Sequence, residues 1–268
     1  MPEPQDTAAP ERSRRPRRGD VATAPRTAGV WDGIATCVRQ LQDRAGRAQL
    51  DVLDLGGGTG GLAVALAARG HRVLVVDPSP DALAALERRA AEAGVGDHVR
   101  SVQGDAATLG ELVGPAAADL VCCHEVLEYV EDPADAVAAV VRAVRPGGVV
   151  SLLAAQRSAA VVARALLGRF AEAAQVLDDR DGRWGATDPL PRRFDAAALV
   201  AMVEAVGLDV RHVQGVRLFS DLVPEALLEG EESRAALTDL ERRIGDGALG
   251  AQLVALATQL HVLAERPR

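Results

Sequence analysis

The 268-residue sequence contains no lysine, so each of its 30 basic residues is an arginine, a bias that carries no mechanism by itself. Aromatic residues are nearly absent at 2%, which leaves Ala, Val and Leu to build any core. Cysteine is sparse. Cys37, Cys122 and Cys123 are an odd number without the spacing of a disulfide framework, which points to a reducing, cytoplasmic compartment. The start, Met1-Pro2-Glu3-Pro4-Gln5, lacks the apolar stretch of a secretory signal. No stretch reaches the roughly 20 apolar residues of a membrane span, because Arg142, Arg145, Arg157 and Arg164 interrupt the richest runs of Val, Ala and Leu. A soluble protein with no membrane partner is expected. The net charge of -8 argues against a nucleic-acid binder that uses its whole surface, though it leaves a local basic patch open.

What is present is globular: 48% hydrophobic and 25% charged residues, in a length that suits one α/β domain with decorations. Residues 1–25 are rich in Pro, Arg, Thr and Ala and lack periodicity, so they read as a disordered tail. Its basic run, Arg12, Arg14, Arg15, Arg17 and Arg18, either solubilises the tail or serves as a nucleic-acid-binding arm. A single domain then occupies residues 26–268. Its first part, 26–48, is expected as a helical cap, since Ile34, Val38 and Leu41 recur at helical spacing.

From Asp51 onward, strands and helices alternate. Strands are expected at 51–55, 73–76, 99–102, 119–123 and 149–153, nearly all apolar, as in a parallel sheet covered on both faces. Ser79-Pro80 and Asp132-Pro133 are N-cap and first-turn pairs, and Gly94 suits a helix C-terminus with positive φ. Residues 157–194 break the rhythm with Arg, Asp and Gly. A helix through Leu199, Met202 and Val203 follows, then strands near 208–213 and 259–264. The fold class is α/β: a doubly wound, mostly parallel, Rossmann-like sheet of seven strands.

The informative stretch is Asp54-Leu55-Gly56-Gly57-Gly58-Thr59-Gly60-Gly61, which follows a strand and opens a helix. The glycines alone fit a dinucleotide loop, and an NAD-dependent dehydrogenase or another nucleotide-binding protein is the remote alternative. Asp54 discriminates. A pyrophosphate wants amides without a carboxylate nearby, whereas an ammonium and a sulfonium tolerate one. The pattern Asp-x-Gly-x-Gly-x-Gly resembles the first motif of class I S-adenosylmethionine-dependent methyltransferases. Asp77, with Pro78 beside it, ends the second strand, where an acid can accept from both ribose hydroxyls. Gly104-Asp105-Ala106-Ala107 follows the third strand, where such enzymes place an acid on the adenine amine, and Pro146-Gly147-Gly148 is also typical of the class. In that class the last strand is antiparallel.

The fourth strand leads into Cys122-Cys123-His124-Glu125-Val126-Leu127-Glu128. The Asn/Asp-Pro-Pro-aromatic motif of amino-group methylation is missing, as is a Pro-Cys nucleophile. Consecutive strand residues point to opposite faces, so Cys122, Cys123 and His124 do not converge on a metal, and none is expected. His124, just past the strand, is read as contacting cofactor or positioning acceptor.

Taken together, these residues resemble a narrower group, the bacterial tRNA 5-carboxymethoxyuridine methyltransferases. The resemblance runs from Arg26 to Pro267. It takes in Val52-Leu53-Asp54 with the triple glycine, Gly70-His71, His124 with Val126-Leu127-Glu128, Asp132-Pro133, and Arg145 through Val149. Most specific are Gly215-Val216-Arg217 with Phe219, and His261-Val262 before Arg266-Pro267. It implies S-adenosylmethionine as cofactor, held by Arg26, Gly56, Gly57, Asp77, Ala106, Ala107 and His124. It also implies methyl esterification of a carboxylate on a wobble uridine by direct in-line displacement. A carboxylate is ionised at pH 7 and needs no general base, only alignment and exclusion of water. Arg217 and Arg157 are the candidates to orient it, and residues 157–194 would form an acceptor-side lid. That lid carries Asp178, Asp179, Asp181 and Asp188 among its arginines, with Arg192-Arg193 as a basic pair. To Asp20 the tail counts five Arg against four acids, so the remainder carries -9, which opposes nonspecific RNA contact. A small-molecule acceptor therefore stands as the alternative, with a monomer or homodimer both open.

Overall fold

The computed structural model describes residues 28–268 apart from Asp246 and Ala248, so the expected tail and Arg26 lie outside the described residues. Helix α1 (Ala28–Ala45) comes first. Then β1 (Asp51–Leu55), α2 (Gly61–Ala67), β2 (Arg72–Asp77), α3 (Pro80–Glu92), β3 (Val99–Gln103), α4 (Leu109–Leu112), β4 (Ala118–His124), α5 (Pro133–Ala143) and β5 (Val144–Ala155) alternate. Two helices, α6 (Arg157–Leu166) and α7 (Phe170–Asp178), fill the segment that breaks the rhythm. They precede α8 (Ala196–Ala205), β6 (Asp209–Val216), α9 (Glu231–Gly245) and β7 (Gln259–Glu265).

The sheet order is β3-β2-β1-β4-β5-β7-β6, with β1 to β5 parallel and β7 antiparallel to both of its neighbours. This is the doubly wound sheet with an antiparallel last strand that the sequence led one to expect. Period-two alternation divides the core between two faces. Val121 and Cys123 pack toward α5 and α8, while Leu120 and Cys122 pack toward α1, α2 and α3. The adjacent cysteines therefore enter different clusters. Their thiols are buried and pushed well above the ordinary range by desolvation.

The expected caps form. Ser79 Oγ accepts from Ala82 N at 3.2 Å, and Asp132 Oδ1 accepts from Ala134 N at 2.7 Å. Of the strand boundaries that differ from expectation, two bear on the site and its frame. β5 starts at Val144, pairs there with Ala118, and breaks register through Pro146-Gly147-Gly148 before resuming at Val149; Gly147 makes the break at φ 76°. His124, expected just past β4, is its last residue and pairs with Leu153, so its ring is held by the sheet rather than by a loop. At the opposite, amino edge, Asp51 and Asp119 share Arg145 at 3.0 and 2.9 Å, which ties β1 to β4 there. The carboxyl edge is left for the site. No described helix is long and apolar enough to cross a membrane.

Candidate active site

β1 runs out into the glycine loop, and the loop folds back on its neighbours. Gly56 N–H donates to the Val76 carbonyl at 2.7 Å, and Gly58 N–H donates to Asp77 Oδ2 at 2.8 Å. A side chain does not fit at several positions here. A Cβ on Gly57 would stand 2.6 Å from Asp54 Oδ2, and one on Gly56, at φ 73°, would collide with Val126. The motif's spacing is what lets the backbone settle onto its own carboxylate.

That carboxylate is unusual. Asp54 is 2% exposed, and its Oδ2 has no hydrogen-bond partner among the described residues. Burial, reinforced by the negative charge of Asp77, pushes its carboxyl up to about 7. Asp77 is also buried, but its two oxygens are engaged by amides: Gly58 N–H at Oδ2 and Ser79 N–H at Oδ1, the latter at 2.9 Å. Asp105 is exposed and turns to Thr108, accepting from its N–H at 3.0 Å and its hydroxyl at 2.9 Å, which lowers its pKa.

A cleft of about 1140 Å³ opens beside the loop. Gly56, Asp77, Pro78, Asp105, Ala106 and Ala107 line it together with Glu125, Val126 and Tyr129. Six of the eleven residues expected around a cofactor thus converge on one cavity. Asp54, Gly57 and Gly58 belong to the loop and strand next to it and do not line it. His124 does not line it either. It sits at the end of β4, half-buried, with Nε2 at 2.8 Å from Ser151 Oγ, and burial pushes its imidazole down to about 4. Arg26 falls outside the described residues.

The two arginines expected to orient an acceptor part company. Arg217 Nη2 lies 3.5 Å from Glu125 Oε1, at the rim of the cleft. Both residues hold positive φ, 60° and 56°, a conformation side chains rarely adopt and which concentrates at functional sites. Gln259 donates to the same Glu125 oxygen. Arg157 is instead tied into its own segment, donating to the Arg180 carbonyl at 2.5 Å with Asp195 Oδ2 at 3.5 Å.

Within 157–194 several arginines are consumed internally. Arg164 pairs with Glu172 at 3.2 Å and Arg192 with Asp181 at 3.2 Å, while buried Arg193 meets Asp188 at 2.6 and 2.9 Å. Trp184 lies between the Arg164 and Arg193 guanidiniums at 3.7 and 4.2 Å. Arg192 also donates to the Val130 carbonyl at 3.0 Å, which fastens this segment to the cleft wall. The basic pair is structural. Sequence reasoning missed Glu125 and Tyr129 as cleft residues, and it gave Ser151 and His261 no role beside His124. The last two are 110 residues apart, so no local signal joins them. It also quoted Glu128 only as part of a pattern. That side chain is buried, takes the Ala155 amide at 2.6 Å, and is raised in pKa by desolvation.

Known proteins are similar to this chain. Residues 53–152 match the family described as "Methyltransferase domain". The chain is 28% identical over 243 residues to the tRNA 5-carboxymethoxyuridine methyltransferase of Escherichia coli (strain K12), covering 91% of this chain and 88% of that protein. It is 37% identical over 131 residues to a ubiquinone biosynthesis O-methyltransferase of Pseudomonas aeruginosa (strain UCBPP-PA14), covering 49% of this chain and 55% of that one. Among solved structures, an S-adenosylmethionine-dependent methyltransferase from Mesorhizobium loti shares the fold at TM-score 0.58 and 22% identity, covering 92% of this chain and all of the other.

Proposed function

We propose, for a chain that is an S-adenosylmethionine-dependent methyltransferase with a methyltransferase domain across residues 53–152, that it esterifies a carboxylate oxygen by direct in-line displacement. When bound, S-adenosylmethionine supplies an electrophilic methyl on a positively charged sulfur. The residues present fit it. The buried, unpartnered Asp54 oxygen suits a cationic ligand, and the glycine loop at Gly56, Gly57 and Gly58 has no side chain to bar its approach. Asp77 and Pro78 would hold the ribose, and Asp105 with the Ala106 and Ala107 amides would hold the adenine. By resemblance, Arg26 would take the carboxylate of the amino-acid half.

The observation that carries the carboxylate reading is the state of His124. An imidazole held at about 4 is a weak base, and the buried thiols beside it hold their protons. An acceptor that arrives ionised, as a carboxylate does at neutral pH, needs no base from either. Arg217 is the residue we assign to orient it, since a guanidinium matches a carboxylate in bidentate geometry. Glu125 holds that guanidinium at the rim. Arg157, tied to Arg180 and Asp195, is the weaker candidate. Segments 26–48 and 157–194 would cap the cofactor and cover the acceptor.

The likeness to the tRNA enzyme, running along 91% of the chain, supports a wobble-uridine carboxylate as acceptor. A specific observation favours a second reading, a small carboxylate or hydroxyl metabolite. Arg164, Arg192 and Arg193 of this segment are paired with acids, whereas phosphate binding needs cations that are not already spent. The test is to incubate the protein with methyl-labelled cofactor and either total tRNA or a metabolite extract, then treat the product with mild alkali. A methyl ester releases its label as methanol. Label that survives alkali would overturn the carboxylate assignment, and the fraction that takes the label separates tRNA from metabolite.

A further inference from the structure

Polar side chains are rare inside this sheet, yet three meet on its α1 side. His124 Nε2 at the end of β4 lies 2.8 Å from Ser151 Oγ of β5, and that same oxygen lies 2.9 Å from His261 Nε2 of β7. The two rings stand edge to face at 5.9 Å. Ser151 and His261 are fully buried, and His261 Nδ1 has no partner among the described residues. Gly33 of α1 makes the room, since a Cβ there would stand 3.0 Å from His261 Cε1.

The protons in this row can be counted. The Ser151 hydroxyl has one proton and, among the described residues, only the two ring nitrogens as partners; its proton goes to one ring, so the other ring donates to it. Both rings are neutral in this desolvated setting, so each carries a single N–H. If Ser151 donates to His261, the His261 proton must sit on Nδ1, a buried N–H with no acceptor. Orphaned buried N–H groups are rarer than unused acceptors and cost a full desolvation penalty. The other arrangement has no such orphan donor: His261 Nε2–H donates to Ser151, and Ser151 donates to His124 Nε2. The His124 proton is then on Nδ1. His124 is half-buried at the carboxyl end of β4, and with Nε2 engaged by Ser151, Nδ1 is the nitrogen left to meet a bound group.

We propose that Ser151 and His261 are positioning residues that lock His124 as its Nδ1–H tautomer, making it a hydrogen-bond donor to an oxygen of the reacting groups rather than a base. The inference rests on the reading that His124 faces those groups, and it deepens that reading: a donor suits an anionic acceptor oxygen. Nitrogen-15 NMR of histidine-labelled protein, with the His124 signals assigned through His124→Ala, is the direct test. A protonated Nδ1 and an accepting Nε2 are expected for His124, and Ser151→Ala should move the ring toward the other tautomer or a mixture. Methyl transfer should fall about ten-fold in Ser151→Ala, the worth of one neutral hydrogen bond. His261→Leu should fall alike, and His261→Gln, which keeps an N–H for Ser151, should recover most of the rate. A protonated Nε2 on His124 in the parent, or a tautomer unmoved by Ser151→Ala, would overturn the relay. Unchanged methyl transfer in His124→Ala would separately overturn the reading beneath it.

Discussion

Replacing Asp54 by Asn should stabilise the ligand-free protein, and by an amount that depends on pH. The carboxyl titrates at 3.8 in an ordinary setting and at about 7 in the fold, where it is buried beside Asp77 with one oxygen unpartnered. The folded chain therefore holds this proton more tightly than the unfolded one. Its contribution is fully present below about pH 4 and is lost as pH rises through about 7. At about 1.4 kcal/mol per pH unit, the gap is worth about 4 kcal/mol. Asn has no proton to lose. The difference in unfolding free energy between variant and parent should therefore drift by up to about 4 kcal/mol in the variant's favour between pH 4 and pH 8. Groups elsewhere titrate alike in both proteins and cancel. Urea unfolding of each protein at five or six pH values would measure it. Calorimetry should meanwhile show the parent binding S-adenosylmethionine more tightly as pH rises through about 7, and the variant binding it weakly throughout. A stability difference that stays flat across that range would refute the reasoning, because it would mean that Asp54 is ionised in the fold at every pH tested.

Three further perturbations probe the site and its supports. Asp77→Ala should abolish S-adenosylmethionine binding by calorimetry, through loss of the ribose contacts and of the two amides it gathers from Gly58 and Ser79; unchanged affinity would remove it from the cofactor site. Arg217→Asn keeps a residue that tolerates positive φ while deleting the guanidinium. Acceptor KM should rise at least ten-fold with cofactor affinity unchanged, and an equal loss of both would argue against an acceptor role. Arg193→Ala leaves the buried Asp188 carboxylate uncompensated and should lower unfolding free energy by about 3–5 kcal/mol, whereas a loss below about 1 kcal/mol would show that water reaches the pair.

Much of the architecture was legible because its signals are local. The strand at Asp51–Leu55 and the caps at Ser79 and Asp132 each follow from a few adjacent residues, and the structure places them as expected. The glycine loop was legible for the same reason: its spacing encodes a backbone that must approach Asp54 without a Cβ in the way. The end of β4 was less legible. His124 was expected in a loop, yet pairing with Leu153 keeps it in the sheet, and a strand's last residue is decided by its neighbour rather than by itself. The structural role of the basic pair Arg192-Arg193 was likewise not legible, because its acidic partners become partners only once α7 and the following loop have folded.

The sequence alone determined the alternation of strands and helices, the loop that carries Asp54, and the acids at the ends of the second and third strands, since each is written in contiguous or periodic residues. The tertiary structure alone decided that one Asp54 oxygen would lack a partner among the described residues, that Glu125 and Arg217 would face each other in strained conformations, and that His124 and His261 would meet at the Ser151 hydroxyl. Those are properties of distances between strands far apart in the chain. A distance of that kind exists only after the sheet has closed and expelled the water that would otherwise have satisfied each group.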